Sequence, residues 1–302
     1  MTRAVRFERW GGPDVLQVVD VPSGAPRRGE VRVTVRAAGI TAGESAAREG
    51  ALAQLYPMTF PAGTGAEFAG VVTGVGEGVQ DFAVGDEVLG WSPEHRGHAE
   101  AVVVPAEALV AKPAAVSWEV AGALYVAGVT AYTCVQDTAV RDGDVVLVVG
   151  ATSDVGTLAV QLARLCGASV LGVAEAEHHE WLHAHGADAV VPGDAGLLAR
   201  VVRARTSRVD VVIDTTGADA DHLAQALGVD PGRCVATLPR EADLEFGTPP
   251  ARRAEVLAEL VELVAADRLH VPIAEAFPLT EVAEAFATAE LPHRRGRIVL
   301  LP

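Results

Sequence analysis

The stretch "VLVVGATSDVGTLAVQLARLCGA" (146–168) decides the architecture. It continues the run "DGDVVLVVG" (142–150), a turn followed by uninterrupted apolar residues. A strand apolar on both faces belongs inside a parallel sheet covered on both sides. The chain then turns, and apolar residues recur at 155, 158, 159, 162, 165 and 166, the spacing of one helix face. Gly167 stops that helix.

Downstream the alternation repeats. "SVLGVA" (169–174) is a second strand, and "EAEHHEWLHAHGAD" (175–188) a helix closed by Gly186. "AVVPGD" (189–194) gives a third strand, "LLARVVRART" (197–206) a helix, and "VDVVIDTTG" (209–217) a fourth strand. "DADHLAQALG" (219–228) and "GRCVATL" (232–238) add a helix and a fifth strand. Short strands alternating with helices predict a parallel, doubly wound α/β sheet.

Upstream the texture is different. Residues 1–115 hold Val-rich runs separated by Gly and Pro, such as "EVRVTVRAAGI" (30–40), "FAGVVTGVGEGV" (68–79), "VGDEVLGW" (84–91) and "AEAVVVPAEALVAKP" (99–113). These predict a small β-barrel or sandwich, with helical pattern only near 43–54. Ser117 is placed to cap a helix opening "SWEVAGALYVAGVTAYTCVQ" (117–136). Beyond 249, "PPARRAEVLAELVELVAADRL" (249–269) is an amphipathic helix. "FPLTEVAEAFATAE" (277–290) is another, capped at Thr280 with Glu281 and Glu284 in its first turn, and "RGRIVLLP" (295–302) is a last strand.

The 302 residues carry a net charge of −16, which argues against a nucleic-acid surface and against docking on anionic lipid. Lys112 is the single lysine, a bias we read as coding composition. The start "MTRAVRFERWGGPD" has no apolar leader core, and no run is long enough to span a membrane. Three scattered cysteines, Cys134, Cys166 and Cys234, suit a reducing cytoplasm. His179-Glu180-Trp181-Leu182-His183 spells H-E-x-x-H, a zinc-hydrolase pattern when it sits on a cleft helix with a third ligand. Here it follows the second strand of a doubly wound sheet, whose helices face sheet and solvent, and no third ligand follows at a matching distance.

Taken in order, the motifs resemble the medium-chain dehydrogenase/reductase superfamily, closest to its zinc-independent, quinone oxidoreductase-like branch. The resemblance is carried by "RAAGI" (36–40), "GTGAEFAGVVTGVGEGV" (63–79), "FAVGDEVLGW" (82–91), "AGVTAY" (127–132), the stretch quoted first, "HGADAVV" (185–191), "DVVIDTTG" (210–217) and "RGRIVLL" (295–301). It implies a GroES-like β-barrel substrate domain over 1–117, rejoined by 272–302, and a Rossmann dinucleotide-binding domain over 118–271, with the active site in the cleft. Zinc-dependent members carry a Cys after the "AAG" strand and a Gly-His-Glu motif. Here those places read "GITAGE" (39–44) and Gly65-Ala66-Glu67, and the four-cysteine lobe is replaced by "SPEHRGHAE" (92–100), so no metal site is expected. Glu67 is read as structural.

The resemblance places the cofactor loop at Ala151, Thr152, Ser153, Asp154, Val155 and Gly156, where relatives read A-x-G-G-V-G. Ser153 adds a Cβ but offers a hydroxyl. A carboxylate on Asp154 at ~5 Å from a pyrophosphate charge costs ~3 kcal/mol at an effective dielectric of ~20, less when solvent screens it. Glu175, at the end of the second strand, is placed to accept ribose hydroxyls and oppose a 2′-phosphate, so NAD(H) is favoured over NADP(H), or no nicotinamide if the loop is degenerate. Thr130 and Thr215 border the cofactor by resemblance. Tyr56 and Thr41 are the expected catalytic pair, supplying hydrogen bonds in place of a metal. The expected function is zinc-free, NAD(P)H-dependent reduction of an activated double bond, quinone or related carbonyl compound, on a small hydrophobic or conjugated carbonyl substrate, by a cytoplasmic homodimer. A redox-neutral cyclase, dehydratase or isomerase on the same scaffold, or a non-catalytic binding protein, are the alternatives that Ser153, Asp154 and Thr41 keep open.

Overall fold

The computed structural model describes residues 1–54, 57–217, 220–237, 250–291 and 295–302. They form two compact units: Met1–Val126 with Pro249–Pro292 and Gly296–Pro302, and Ala127–Thr248 with His293–Arg295.

The first unit is built on β-structure. A two-stranded antiparallel ribbon joins β1 (Thr2–Arg6) and β2 (Gln17–Val21). A seven-stranded sheet is centred on β3 (Glu30–Gly39), which pairs antiparallel with β4 (Glu67–Val75) and β6 (Ala101–Pro105). From β4 the sheet continues to β5 (Glu87–Trp91) and β7 (Leu109–Ala111). On the other side β3 meets β14 (Arg297–Leu301), which pairs parallel with β13 (Ile273–Pro278). The last strand of the chain thus rejoins the first unit. Alternation along β3 explains the arrangement, because Val31, Val33 and Val35 are buried on one face of the pleat.

Helices decorate this sheet: α1 (Ala42–Arg48), α2 (Trp118–Gly122), α8 (Pro250–Ala265) and α9 (Val282–Ala289). Ser117 caps α2 by accepting from the Val120 N–H. Residues 118–126 and α8, which the sequence reading assigned to the parallel-sheet domain, group with the first unit; α8 packs against β7 and the turn at Ala106–Ala108. The helix expected to be capped at Thr280 starts later. Leu279 is buried at the head of a 3-10 turn over Leu279–Glu281, and Glu281, without a side-chain bond, occupies the N-cap of α9. Pulling Leu279 into the core sets that turn before the helix can begin.

The second unit is the doubly wound sheet. Its strands are β8 (Val145–Val149), β9 (Ser169–Val173), β10 (Ala187–Val190), β11 (Val211–Asp214) and β12 (Cys234–Ala236). All pairings are parallel, in the order β10-β9-β8-β11-β12. The intervening helices are α4 (Asp154–Leu165), α5 (His179–Ala184), α6 (Ala195–Arg205) and α7 (Ala220–Leu227), and α3 (Tyr125–Asp137) precedes the sheet. The core residues Leu147, Leu171 and Val212 lie on adjacent central strands, the positions that read as uninterrupted apolar runs.

Candidate functional site

The chain reverses between β8 and α4, and this turn lies at the strand-order reversal where doubly wound sheets bind their ligands. Gly150 has φ +72°, and a Cβ there would sit 2.5 Å from the Thr215 hydroxyl. A Cβ on Gly156 would lie 2.0 Å from the Gly150 carbonyl oxygen, so only glycine lets α4 press this closely on the strand end. Ala151 is fully buried and Val155 nearly so.

Ser153 is the N-cap of α4: its hydroxyl accepts from the Gly156 N–H at 2.9 Å. The same oxygen lies 2.8 Å from Thr215 Oγ1, which is 2.9 Å from the carbonyl oxygens of both Val149 and Gly150. A carbonyl cannot donate, so the single Thr215 proton goes to a carbonyl and Ser153 donates to Thr215. Ser153 therefore replaces a glycine by a cross-tie between the loop and the β11 turn, and its hydroxyl is engaged. Asp214, buried, shapes that turn by accepting from Thr216 N–H and Oγ1 at 2.8 and 2.7 Å.

At an α-helix start the first-turn N–H groups lack intrahelical acceptors. In α4 the Gly156 N–H is capped by Ser153, and the helix start carries the positive end of the dipole. This loop fits a dinucleotide pyrophosphate. Thr152 and the Asp154 side chain stand half-buried at its rim. Glu175, exposed, directly follows Ala174 at the end of β9 and opens a 3-10 turn over Ala176–His178. Thr130 is buried in the middle of α3.

The sequence reading missed a cation at this corner. Arg295, in the second unit, stacks on Trp181 with its Cζ 5.3 Å from the ring centroid, and its Nη1 lies 3.4 Å from His178 Nδ1. The H-E-x-x-H residues have ordinary roles: His179 Nε2 lies 3.0 Å from the Ala174 carbonyl oxygen, and the exposed His183 is 4.0 Å from Asp188. Among the described residues no group of three or more His, Cys, Asp or Glu is placed to hold a metal ion.

In the first unit, Thr41 caps α1, accepting from the Glu44 N–H at 3.3 Å, and Glu44 closes the capping box by accepting from the Thr41 N–H at 2.8 Å. The other Glu44 oxygen accepts from the N–H groups of Gly65 and Ala66 at 2.8 and 2.6 Å. One buried carboxylate thus ties together Thr41 and Ala66, the two places where zinc-dependent relatives are expected to carry ligands. Among the described residues nothing accepts the Thr41 hydroxyl proton. Tyr56 lies outside the described residues. Glu67 is fully buried between Arg297 and the Val126 N–H, which donates at 2.8 Å; burial pushes its carboxyl pKa up, while Arg297 and Val126 pull it back. His98, fully buried, meets the Gly39 carbonyl oxygen at 2.9 Å through Nε2.

A parallel sheet with this loop, joined to a largely antiparallel sheet, defines a dehydrogenase of the two-domain, dinucleotide-binding kind. Two family models match the chain, "Alcohol dehydrogenase GroES-like domain" over residues 27–140 and "Zinc-binding dehydrogenase" over residues 185–300. The chain is 30% identical to a quinone oxidoreductase of Pseudomonas aeruginosa, covering 100% of both chains. It is 33% identical to a 2-haloacrylate reductase of a Burkholderia species, over 100% of this chain and 99% of that one. Among solved structures, Coxiella burnetii quinone oxidoreductase superposes with a TM-score of 0.85 at 28% identity, covering 100% of this chain and 99% of that one. Escherichia coli quinone oxidoreductase complexed with NADPH also gives 0.85, at 25% identity, covering 99% of this chain and 100% of that one. The chain belongs to the medium-chain dehydrogenase/reductase superfamily, among the quinone oxidoreductase-like proteins.

Proposed function

We propose that this protein is an NAD(P)H-dependent reductase of a quinone, an activated double bond or a related carbonyl compound, working without zinc. The observation that carries the reading is the α4 N-terminus: glycines at 150 and 156 hold it against the strand end, where the positive end of the helix dipole favours an anion. The full-length likeness to a quinone oxidoreductase and a 2-haloacrylate reductase supports the same chemistry.

When bound, the nicotinamide cofactor supplies the hydride. The chain's own residues do the rest. The Ala151–Gly156 loop and the N-terminal end of α4 seat the pyrophosphate. Thr130 and Thr215 border the cofactor. Glu175 accepts the ribose hydroxyls, which favours NAD(H) over NADP(H); Arg295 stands on the same corner as a counterweight. Thr41, whose proton is uncommitted, donates to the substrate oxygen as negative charge develops there, with Tyr56 as the second donor. The substrate is a small conjugated molecule. A homodimer in the cytoplasm is part of this proposal, supported by the family and by three free cysteines; no described helix is long and apolar enough to cross a membrane.

Titration calorimetry with NADH and NADPH, followed by absorbance at the reduced-nicotinamide band with 1,4-benzoquinone and with an enone, tests the reading. The expected result is binding of a nicotinamide and its oxidation by at least one acceptor. Turnover of a natural substrate with no cofactor bound would replace hydride transfer by the redox-neutral alternative.

A further inference from the structure

The first unit carries a pocket of about 270 Å³ between the β1–β2 ribbon, strands β3 and β6 and the turn over 92–96. Its walls hold three arginines, Arg6, Arg32 and Arg96, against two glutamates, Glu30 and Glu94, in a chain whose net charge is −16. On the side of the β2–β3 connection the charges are engaged. Arg32 donates to the Ser23 hydroxyl at 2.7 Å, and Glu30 accepts from the Arg27 N–H at 2.8 Å.

The side formed by β1 and the 92–96 turn is different. Arg6 is half-buried, and among the described residues no carboxylate meets it. Its one bond runs from Nη1 to the carbonyl oxygen of its neighbour Val5, at 2.7 Å. Nε and Nη2 have no protein partner, and neither is closed off by protein. The charge that acts on Arg6 is a second cation. Arg6 Nη1 and Arg96 Cγ both lie 3.1 Å from the point that a Cβ on Gly63 would occupy, so this glycine leaves the space in which the two side chains converge. Burial, and after it the Arg96 charge, draw the Arg6 pKa below the usual arginine value. A guanidinium stays charged at neutral pH all the same. Two like charges brought together cost free energy unless an anion offsets them. The Arg96 partner, Glu94 at 2.9 Å, stands in solvent, where such a pair contributes little. Ser92 is buried at the same side. Its hydroxyl accepts from the Arg96 N–H at 3.0 Å, and its own proton has no acceptor among the described residues.

These are donors in want of an acceptor. A phosphate group offers three strong acceptor oxygens and a charge of about −1.5 to −2 at neutral pH, which matches two guanidinium groups and a hydroxyl better than the single charge of a carboxylate. We propose that this pocket seats a phosphate group, held by Arg6, Arg96 and the Ser92 hydroxyl, with the half-buried Val21 and Val103 lining the room for a small apolar ester group. None of its residues is among those given to the cofactor or the reduced substrate, so the site stands whether or not the reductase reading does.

Inorganic phosphate and phenyl phosphate are titrated calorimetrically into the full chain at constant ionic strength. The N-terminal end of α4 can also take phosphate, so the readout is the part of the binding that depends on this pocket. Wild type is expected to bind phenyl phosphate, and Arg6→Gln and Arg96→Gln each to weaken it at least ~10-fold, since charge-assisted bonds are lost. Ser92→Ala is expected to weaken it several-fold. The Arg96 side chain is 60% exposed, so its variant keeps the fold and carries the test should Arg6→Gln fail to fold. Tighter binding of phenyl phosphate than of inorganic phosphate upholds the seat for an esterified ligand, and equal binding upholds it for free phosphate. Binding of neither by wild type, or binding unchanged in Arg96→Gln, overturns the proposal.

Discussion

Of the helices that begin at a hydroxyl cap, α1 in the first unit and α4 in the second differ in how their first turn is satisfied. At α1 the carboxylate stands three residues after the cap, so Glu44 folds back, closes the box and also takes the Gly65 and Ala66 N–H groups. At α4 the carboxylate is Asp154, immediately after the cap, where it cannot close a capping box, and Ser153 accepts from the Gly156 N–H. The first terminus is closed and belongs to the scaffold. The second is the end to which the proposed cofactor seat is assigned. The difference lies in the offset of one acid from one hydroxyl, and capping boxes make that offset readable.

The largest effect should come from opening the closed terminus. Glu44→Ala strands three buried N–H groups, a loss of about 3–5 kcal/mol in unfolding free energy. Chemical denaturation should show it as a large fall in midpoint, whereas Asp154→Ala should stay within about 0.5 kcal/mol of wild type. Equal losses for the two would erase the distinction.

Next comes the α4 terminus. Ser153→Gly with Asp154→Gly removes a charge and a Cβ from the rim of the phosphate seat. NADH affinity is expected to rise several-fold, up to ~100-fold if the ~3 kcal/mol repulsion acts unscreened. Unchanged affinity from a tightly binding wild type would mean that Asp154 already turns to solvent. Ser153→Ala separately removes the cap and the Thr215 cross-tie, at about 1 kcal/mol of stability by thermal denaturation.

Cofactor choice sharpens the same corner. Glu175→Ala should narrow the NADH-over-NADPH preference several-fold in titration calorimetry. A wild type that clearly prefers NADPH would give Arg295 the controlling part.

These contrasts were unequally legible in the sequence. The second unit could be read almost strand by strand, because period and apolar runs are local signals; "VLVVG" and the helix after it fell where expected. The Ser153 substitution was visible, but its engagement with Thr215, 62 residues away, was not. Arg295 was invisible as a residue of the cofactor corner because its partner, His178, lies 117 residues distant. Nothing in composition or spacing brings such pairs together; only the folded topology does. Thr280 failed as a cap for a local reason, since burial of Leu279 took the turn that the cap needed.

The smallest effect is chemical. Burial pushes the Cys234 thiol up to about 11, with Asp221 and Asp214 adding to it. The thiolate is therefore the minor form at neutral pH and grows as pH rises towards that value. Alkylation of Cys234 by iodoacetamide, followed by mass spectrometry, should be negligible at pH 7 and rise about tenfold per pH unit below the pKa. Fast labelling at pH 7 would show that the β12 edge opens.

The central claim is that hydride leaves a nicotinamide held at the N-terminal end of α4. The most direct measurement follows deuterium from C4-deuterated NADH or NADPH into an enone product by mass spectrometry. The account predicts one deuterium per product molecule at the carbon β to the carbonyl, with one nicotinamide oxidised for each. A product formed with no deuterium and no cofactor consumed would contradict it.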